Sequence, residues 1–309
     1  MPKQPQKFDV VVIGNVGIDT NVYFHQNHLQ LDRESNFTEN LDYIGQAGGY
    51  TSRGYARLGK QTAFIGYVGD DFLGKFIRRE FRRDRIDSTA MFIDPAGTAR
   101  SINFMFPDGS RKNFYDGKSH LNLTPNLKVC STILSRTKLA HFHIPNWARR
   151  LLPIAQESGA VIACDIQDVT NLNDEYRRDF VGFADILFFS TVNYASPEPF
   201  IRHFQKLNPQ QIIIAGMGSR GCALGNNGKI AYFKPVKLDK PVIDTNGAGD
   251  SLAVGFLSSY VLDHYPLEQA VIRGLYAARH CCTLKADSSH LITAGELDHY
   301  TNQYRQEKQ

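Results

Sequence analysis

The residues best suited to chemistry form a glycine-containing stretch at 244–250, Asp-Thr-Asn-Gly-Ala-Gly-Asp. The apolar residues that follow recur with the spacing of one buried helix face, so we expect a helix to begin inside the stretch. The first amides of a helix lack internal partners and carry partial positive charge, and glycines let a ligand approach them closely. This predicts an anion site at Gly247, Ala248 and Gly249. Asp250 would then accept a proton from a hydroxyl that attacks a phosphoryl group, although an acidic residue in a first helical turn is a simpler interpretation of a bare Gly-x-Gly-Asp.

The complete string resembles the Asp-Thr-x-Gly-Ala-Gly-Asp signature of the PfkB (ribokinase-like) carbohydrate kinases. The resemblance implies that Asp250 is the catalytic base and that the amides of Gly247, Ala248 and Gly249 form an anion hole for the moving phosphoryl group. It also implies an α/β ribokinase-like fold, with a mostly parallel central sheet flanked by helices and a small β-lid, as one domain over residues 1–309. ATP is the implied phosphoryl donor, with Mg²⁺ and, as an option, a monovalent cation.

Candidate acceptor-binding residues follow the first predicted strand. The apolar run Phe8–Ile13 ends at Gly14 and is typical of a buried strand in a parallel sheet. Ligands of open α/β sheets bind beyond the carboxyl ends of strands, so Asn15 and Asp19 are placed to meet one. Asp19 also resembles the family's aspartate that binds substrate hydroxyls.

A second acceptor candidate lies in residues 45–74, which are similar to the family's N-terminal signature of a glycine pair, an Asn and a helix that ends in Arg-Leu-Gly. Two alignments are open, because the pair corresponds either to Gly45–Gln46 or to Gly48–Gly49. In both, the Asn is absent, and the first alignment puts Tyr50 in its place. Tyr50 could stack on a ring or donate its hydroxyl. The residues assigned to the acceptor are therefore Asn15, Asp19, Gly48, Gly49 and Tyr50.

Candidate nucleotide-binding residues follow later strands. Asn193 matches the first residue of the family's Asn-x-x-Glu motif, but Ser196 replaces the Glu that organises magnesium. The metal ligands are therefore unassigned, and we expect Mg²⁺ to be held mainly by the ATP phosphates. The glycine-rich residues 216–221 resemble the family's Thr-x-Gly-x-x-Gly nucleotide loop, and no P-loop string occurs in the chain. The residues assigned to the nucleotide are Asn193, Gly216, Gly218, Arg220, Gly221 and Thr245.

Strands and helices alternate from residue 139 onwards, which predicts parallel β-α-β units. Two polar segments with scattered aromatics, about 20–44 and 97–117, resemble the two pieces of the family's lid, and the second reads as a hairpin. Such a lid would exclude water from the reaction, and a contact between two subunits of a homodimer is a further use for it. The predicted strands are Phe8–Ile13, Leu139–Phe142, Val161–Asp165, Ile186–Phe189 and Ile212–Ala215.

Two histidines on one predicted strand, His141 and His143, face the same way. We find no third residue at metal-ligand spacing and interpret them as strand-end residues, with a lesser chance that one lines the acceptor site. Asp165, at the end of the next predicted strand, resembles the aspartate that begins a short family motif.

Composition limits the classes of function. The net charge of +4 is too small to indicate a nucleic-acid partner or an anionic membrane. Five cysteines without a Cys-x-x-Cys pair indicate reduced thiols in a cytoplasmic protein. No run of about 18 apolar residues occurs, so we expect no membrane span.

Together these features predict an ATP-dependent kinase for a hydroxyl of a small sugar or sugar-like substrate. Two alternatives stay open. The acceptor could be a nucleoside, for which the aromatic residues of the lid and Tyr50 could stack on the base. The chain could also be a binding or regulatory relative without catalysis, which the changes at Tyr50 and Ser196 would favour and the intact Asp250 opposes.

Overall fold

The computed structural model describes residues 7–29, 32, 34–169 and 171–306, and the rest of the expected 1–309 domain lies outside this range. A nine-stranded sheet forms the centre of the protein. Its strand order is β13-β12-β11-β10-β9-β8-β1-β4-β5, and β12 alone runs antiparallel to the other strands of this sheet. The strands are β1 Phe8–Ile13, β4 Thr62–Val68, β5 Asp87–Ile93, β8 Thr137–Phe142, β9 Val161–Asp168, β10 Ile186–Ser190, β11 Ile212–Gly216, β12 Cys222–Asn226 and β13 Lys229–Phe233.

The central strand β1 is buried on both faces, as its continuous apolar sequence predicts. Val11 and Ile13 pack in one hydrophobic cluster, and Val10 and Val12 pack in the other. The chain adds β4 and β5 on one side of β1 and β8 to β11 on the other. The strand order therefore reverses between β1 and β8, and ligands of open α/β sheets bind at such a point.

Helices cover both faces of the sheet, which confirms the predicted α/β class. One face carries α3 to α6, and a 3₁₀ turn at Asn146–Leu151 precedes α4. The other face carries α1, α2, α7, α8 and α9, and a π turn at Ser258–Leu262 follows α7. The helices are α1 Gln46–Arg57, α2 Phe72–Arg83, α3 Leu127–Leu134, α4 Leu152–Ser158, α5 Arg178–Phe183, α6 Glu198–Leu207, α7 Ala248–Leu257, α8 Leu267–Cys281 and α9 Ala294–Gln306.

A separate four-stranded sheet, which we call the lid, has the order β3-β2-β6-β7. Two chain segments form it, because β2 pairs with β3 and also, in parallel, with β6. Residues 30, 31 and 33 of the expected segment 20–44 lie outside the described residues. The lid strands are β2 Gly17–Phe24, β3 Thr38–Gly45, β6 Ala99–Met105 and β7 Arg111–Asp116.

No helix in the described part of the chain is long and apolar enough to cross a bilayer.

Candidate active site

The glycine-containing stretch forms the start of α7, as its sequence predicts. Gly247 precedes the first helical residue and has a φ of 74°, a conformation that glycine adopts without strain. A side chain at Gly247 would collide with the ring of Tyr50. A Cβ at Gly249 would meet nothing within 4 Å, so the space in front of it is open. No backbone carbonyl of the described residues accepts a hydrogen bond from the Gly249 amide, which is therefore available to an anion, whereas the Asp250 amide donates to its own carboxylate.

Asp244 holds this loop against the lid. Its buried Oδ2 accepts hydrogen bonds from Asn21 Nδ2 at 2.7 Å and from the Tyr23 hydroxyl at 2.9 Å, and both donors lie on β2. Its Oδ1 accepts from the Asn246 amide at 2.8 Å, which closes a turn within the loop. In the sequence Asp244 is only the first residue of a motif, and no local pattern indicates its hydrogen bonds to the lid.

A row of three asparagines extends the connection across the lid. Asn21, Asn103 and Asn113 are register partners on β2, β6 and β7. Asn103 donates to Asn21 at 2.9 Å, and Asn113 donates to Asn103 at 2.8 Å. The position of the anion loop is therefore tied to the position of the lid strands.

Three side chains from distant parts of the sequence meet behind the anion loop. One ligand atom each from His143, Asp165 and Asp250 lies within 4.8 Å of the other two. Asp165 lies on β9 and His143 follows β8, so the carboxyl ends of two neighbouring strands face the start of α7. Sequence spacing showed no third residue beside His141 and His143, because the two aspartates come from elements that are remote in sequence.

The carboxylates of this region repel one another. Burial, followed by the charges of Asp165 and Asp19, holds the pKa of Asp250 well above its ordinary value. Burial raises the pKa of Asp165 and of Asp19 to about 6 in each case. Arg111 on the lid strand β7 acts in the opposite direction and lowers the pKa of Asp250. Arg111 also donates to the Asn246 side chain and was missed in the sequence, because nothing in an exposed hairpin marks its target.

His141, the other histidine of the pair, lies on β8 and contacts Tyr55 of helix α1. Its ring is buried and its Nδ1 is 3.0 Å from the Tyr55 hydroxyl. Burial lowers the pKa of His143 to about 3, so this ring is neutral at physiological pH. His141 and His143 lie ring against ring, with centroids 4.8 Å apart.

The acceptor candidates meet at the reversal point of the sheet. The Gln46 amide donates to Asp19 Oδ2 at 3.1 Å, and the Gly48 amide donates to the Asn15 carbonyl at 2.9 Å. Asn15 Nδ2 in turn bonds the hydroxyl of Tyr115, which reaches it from β7. Helix α1 begins at Gln46, so Gly48 and Gly49 lie inside its first turn.

Tyr50 lies behind the anion loop and presents no open face. Its side chain is 4% exposed and packs edge-to-face against Tyr43, with ring centroids 6.0 Å apart. Its ring also fills the space that a side chain at Gly247 would need. In this position the Tyr50 ring supports the anion loop, and neither of its faces is open for stacking on an acceptor.

The nucleotide candidates lie at the carboxyl ends of β10 and β11. The Thr191 amide donates to the Gly216 carbonyl at 2.8 Å, and Gly218 and Gly221 both have positive φ values. Arg220 donates to the carbonyls of Ala195 at 2.6 Å and Tyr194 at 2.5 Å, so its guanidinium braces the loop that follows β10. Asn193 on that loop and Thr245 before the anion loop are both exposed.

Comparison with known proteins gives a consistent result. A model of the pfkB family of carbohydrate kinases matches residues 7–133 and 179–293. An acarbose 7(IV)-phosphotransferase from Actinoplanes sp. is 26% identical over 94% of this chain and 97% of its own length. A 5-dehydro-2-deoxygluconokinase from Geobacillus kaustophilus is 24% identical over 98% of this chain and 96% of its own length.

The solved structure of a microbiome-derived acarbose kinase superposes with a TM-score of 0.87 at 26% identity and covers 96% of this chain and all of its own. The family model accounts for well over half of the sequence, including the anion loop and Asp250. The chain therefore belongs to the pfkB family of carbohydrate kinases, which are phosphotransferases.

Proposed function

We propose that this protein transfers the γ-phosphoryl group of ATP to a hydroxyl of a small sugar or sugar-like substrate. The observation that carries the proposal is the start of α7. There the Asp250 carboxylate stands beside the amide of Gly249, from which no backbone carbonyl of the described residues accepts a hydrogen bond, with open space in front of Gly249. A base next to an anion site is what an attacking hydroxyl and a transferring phosphoryl group require together.

The reaction uses each group in turn. The Asp250 carboxylate accepts the proton of the acceptor hydroxyl as its oxygen forms a bond to the γ-phosphorus. The bond between that phosphorus and the β–γ bridging oxygen breaks, and ADP leaves. The amides at the start of α7 stabilise the charge on the transferring group, and Gly247 allows the backbone to take this shape.

Arg111 is the one lid cation that acts electrostatically on Asp250. We assign to it the neutralisation of charge on the phosphoryl group, because its guanidinium lies beside the Asn246 side chain of the anion loop. The lid would thus complete the site as it covers the acceptor and excludes water.

The residues after β10 do not offer a carboxylate to Mg²⁺. Glu198 starts α6 and pairs with Arg202 at 2.6 Å, while Ser196 Oγ accepts from the Glu198 amide at 3.2 Å. We therefore propose that Mg²⁺ arrives with the ATP phosphates, and no step of the reaction is assigned to a protein-bound metal or to a monovalent cation. Asn193, Thr245 and the glycine loop 216–221 are the proposed nucleotide contacts.

The acceptor is proposed to occupy the reversal point of the sheet, between Asp19, Asn15 and the first turn of α1. The buried Tyr50 supports a sugar over a nucleoside, because it offers no face on which a base could stack. The presence of Asp250 at the start of α7 and the open space in front of Gly249 support an active enzyme over a silent relative.

Assembly and location are further proposals. The outer surface of the lid exposes Phe114 and Ile102, which supports a homodimer formed through the lid. Light scattering after gel filtration of the native chain and of Phe114→Ser tests it, since only the native chain should elute as a dimer. The five cysteines are free, which supports a cytoplasmic location.

The test of the proposed function is ADP release from ATP and Mg²⁺ with a panel of sugars, sugar acids and nucleosides. The panel includes acarbose and 5-dehydro-2-deoxygluconate, which the names of the relatives indicate. We expect one class of acceptor to give ADP in proportion to phosphorylated product, and the signal to vanish in Asp250→Asn. Turnover that survives in this variant would contradict the proposal.

A further inference from the structure

The contact with Thr51 determines which ring nitrogen of His143 carries the proton. Thr51 donates its single hydroxyl proton to the Ala47 carbonyl at 2.7 Å. Its oxygen is 3.1 Å from His143 Nε2, so that nitrogen must carry the proton and donate it to Thr51. The opposite nitrogen, Nδ1, is then a lone-pair acceptor, and it is buried without a partner among the described residues.

His143 thus adds an acceptor to two carboxylates. Its ligand atom and those of Asp165 and Asp250 lie within 4.8 Å of one another, and His143 is 3% exposed. Asp250 Oδ1 is likewise buried and has no hydrogen-bond partner in the described part of the structure. A hydroxyl group donates one hydrogen bond and would satisfy one of these acceptors, whereas an ammonium group donates three. An unpaired buried acceptor costs free energy, so the cluster favours the ligand with three donors.

The charge around His143, Asp165 and Asp250 also favours a cationic ligand. The charges of Asp19 and Asp165 both act on Asp250, and Arg111 is a cation that opposes them there. A carboxylate or phosphate on the acceptor at this position would add to the repulsion, while a positive charge would relieve it.

An ammonium group and a metal ion require different spacings of the three acceptors. Three acceptors that bind one ammonium at ordinary hydrogen-bond lengths lie about 4.6 Å apart. Ligand atoms of a metal ion such as Zn²⁺ would have to close to about 3.4 Å. The three ligand atoms lie within 4.8 Å of one another, a limit that admits the ammonium spacing, and the metal arm of the test below distinguishes the two.

We propose that the acceptor carries a protonated amine next to the hydroxyl that is phosphorylated, and that His143, Asp165 and Asp250 bind this amine. One oxygen of Asp250 holds the amine and the other accepts the proton of the hydroxyl. The substrate class is an amino sugar or a similar polyol that contains an amino alcohol. This inference deepens the proposed kinase function and rests on it for the role of the hydroxyl.

The test compares three small molecules of one skeleton by calorimetry without nucleotide: 2-amino-1,3-propanediol, glycerol and glycerate. We expect the amine to bind about tenfold or more tightly than glycerol, and glycerate to bind more weakly than both. The preference for the amine should fall to near unity in Asp165→Asn and in His143→Phe. The control is Asp70→Asn, an exposed aspartate whose carboxylate pairs with Lys75 at 3.3 Å, which should keep the preference.

Equal binding of amine and glycerol by the native protein would overturn the proposal, and so would a preference that survives Asp165→Asn. A one-to-one site for Mn²⁺ or Zn²⁺ alone that disappears in Asp165→Asn would assign the three acceptors to a metal instead. The measurement needs no turnover, so it stands apart from the ADP assay. In that assay, glucose compared with its 2-, 3-, 4- and 6-aminodeoxy analogues should show at least one amine as the better acceptor.

Discussion

The acceptor side and the nucleotide side of this protein differ in the chemical groups that they offer to a ligand. At the ends of β8 and β9, the buried side chains of His143 and Asp165 lie close to Asp250 at the start of α7, and His143 Nδ1 and Asp250 Oδ1 have no hydrogen-bond partner among the described residues. At the ends of β10 and β11 the glycines of residues 216–221 expose backbone beside the Asn193 side chain, and Arg220 is already engaged by loop carbonyls. Side chains can discriminate between acceptors by charge and hydrogen bonding, whereas exposed backbone suits a phosphate chain common to all reactions. Changes on the acceptor side should therefore alter specificity and rate, and changes on the nucleotide side should alter mainly the affinity for ATP.

The largest effect is expected where the two sides join, at Gly247. An alanine there would adopt a left-handed conformation at a cost of about 1–2 kcal/mol and would press on the Tyr50 ring. We expect Gly247→Ala to lower kcat by about 100-fold or more, because the amides of the anion site shift. The melting temperature should fall by several degrees. Gly249→Ala is the control for folding, since its Cβ would point into open space and should leave the melting temperature close to that of the native chain.

The next effect concerns the lid cation. Arg111→Gln should lower kcat by about 10- to 100-fold and change the KM of the acceptor little, because charge neutralisation matters most in the transition state. Lys112→Gln, its exposed neighbour on β7, is the matched control and should behave like the native protein. Equal losses in both variants would show that the lid contributes only a general positive field.

A third effect is a shift in pH dependence. Asp250 must be deprotonated to act as a base, and burial together with Asp165 and Asp19 raises its pKa. The acid limb of kcat/KM should therefore lie at higher pH than for an exposed aspartate. Asp165→Asn removes one repelling charge and should move this limb to lower pH, whereas Arg111→Gln removes an attracting charge and should move it to higher pH. A limb that stays fixed in both variants would assign the titration to another group.

The smallest effect is expected on the nucleotide side. Arg220→Gln removes the brace of the loop after β10 and should raise the KM for ATP by about three- to tenfold, with kcat little changed. Arg202→Gln, on the neighbouring helix, breaks an exposed ion pair with Glu198 and serves as the control. A large fall in kcat for Arg220→Gln would instead indicate that the guanidinium leaves the loop and binds the transferring phosphate.

Sequence patterns predicted the elements but not the contacts between them. The apolar run at residues 8–13 and the glycines before α7 each define local structure, so β1 and the helix start were predicted correctly. The meeting of His143 with Asp165 and Asp250 depends on strand order and on side-chain direction at strand ends, which no local pattern contains.

The placement of Tyr50 shows the same limit on a smaller scale. Two registers of the glycine pair were open, and successive residues of a helix point about 100° apart. The helix start at Gln46 turns the ring of Tyr50 toward Gly247, and only the packed structure decides this.

The most direct test of the account is single-turnover phosphoryl transfer by Asp250→Asn, with acceptor and ATP binding measured by calorimetry on the same preparation. The account predicts that both ligands bind within a few-fold of the native affinity and that the transfer rate falls by about 10²–10⁴-fold. Transfer within tenfold of the native rate would show that Asp250 is not the base.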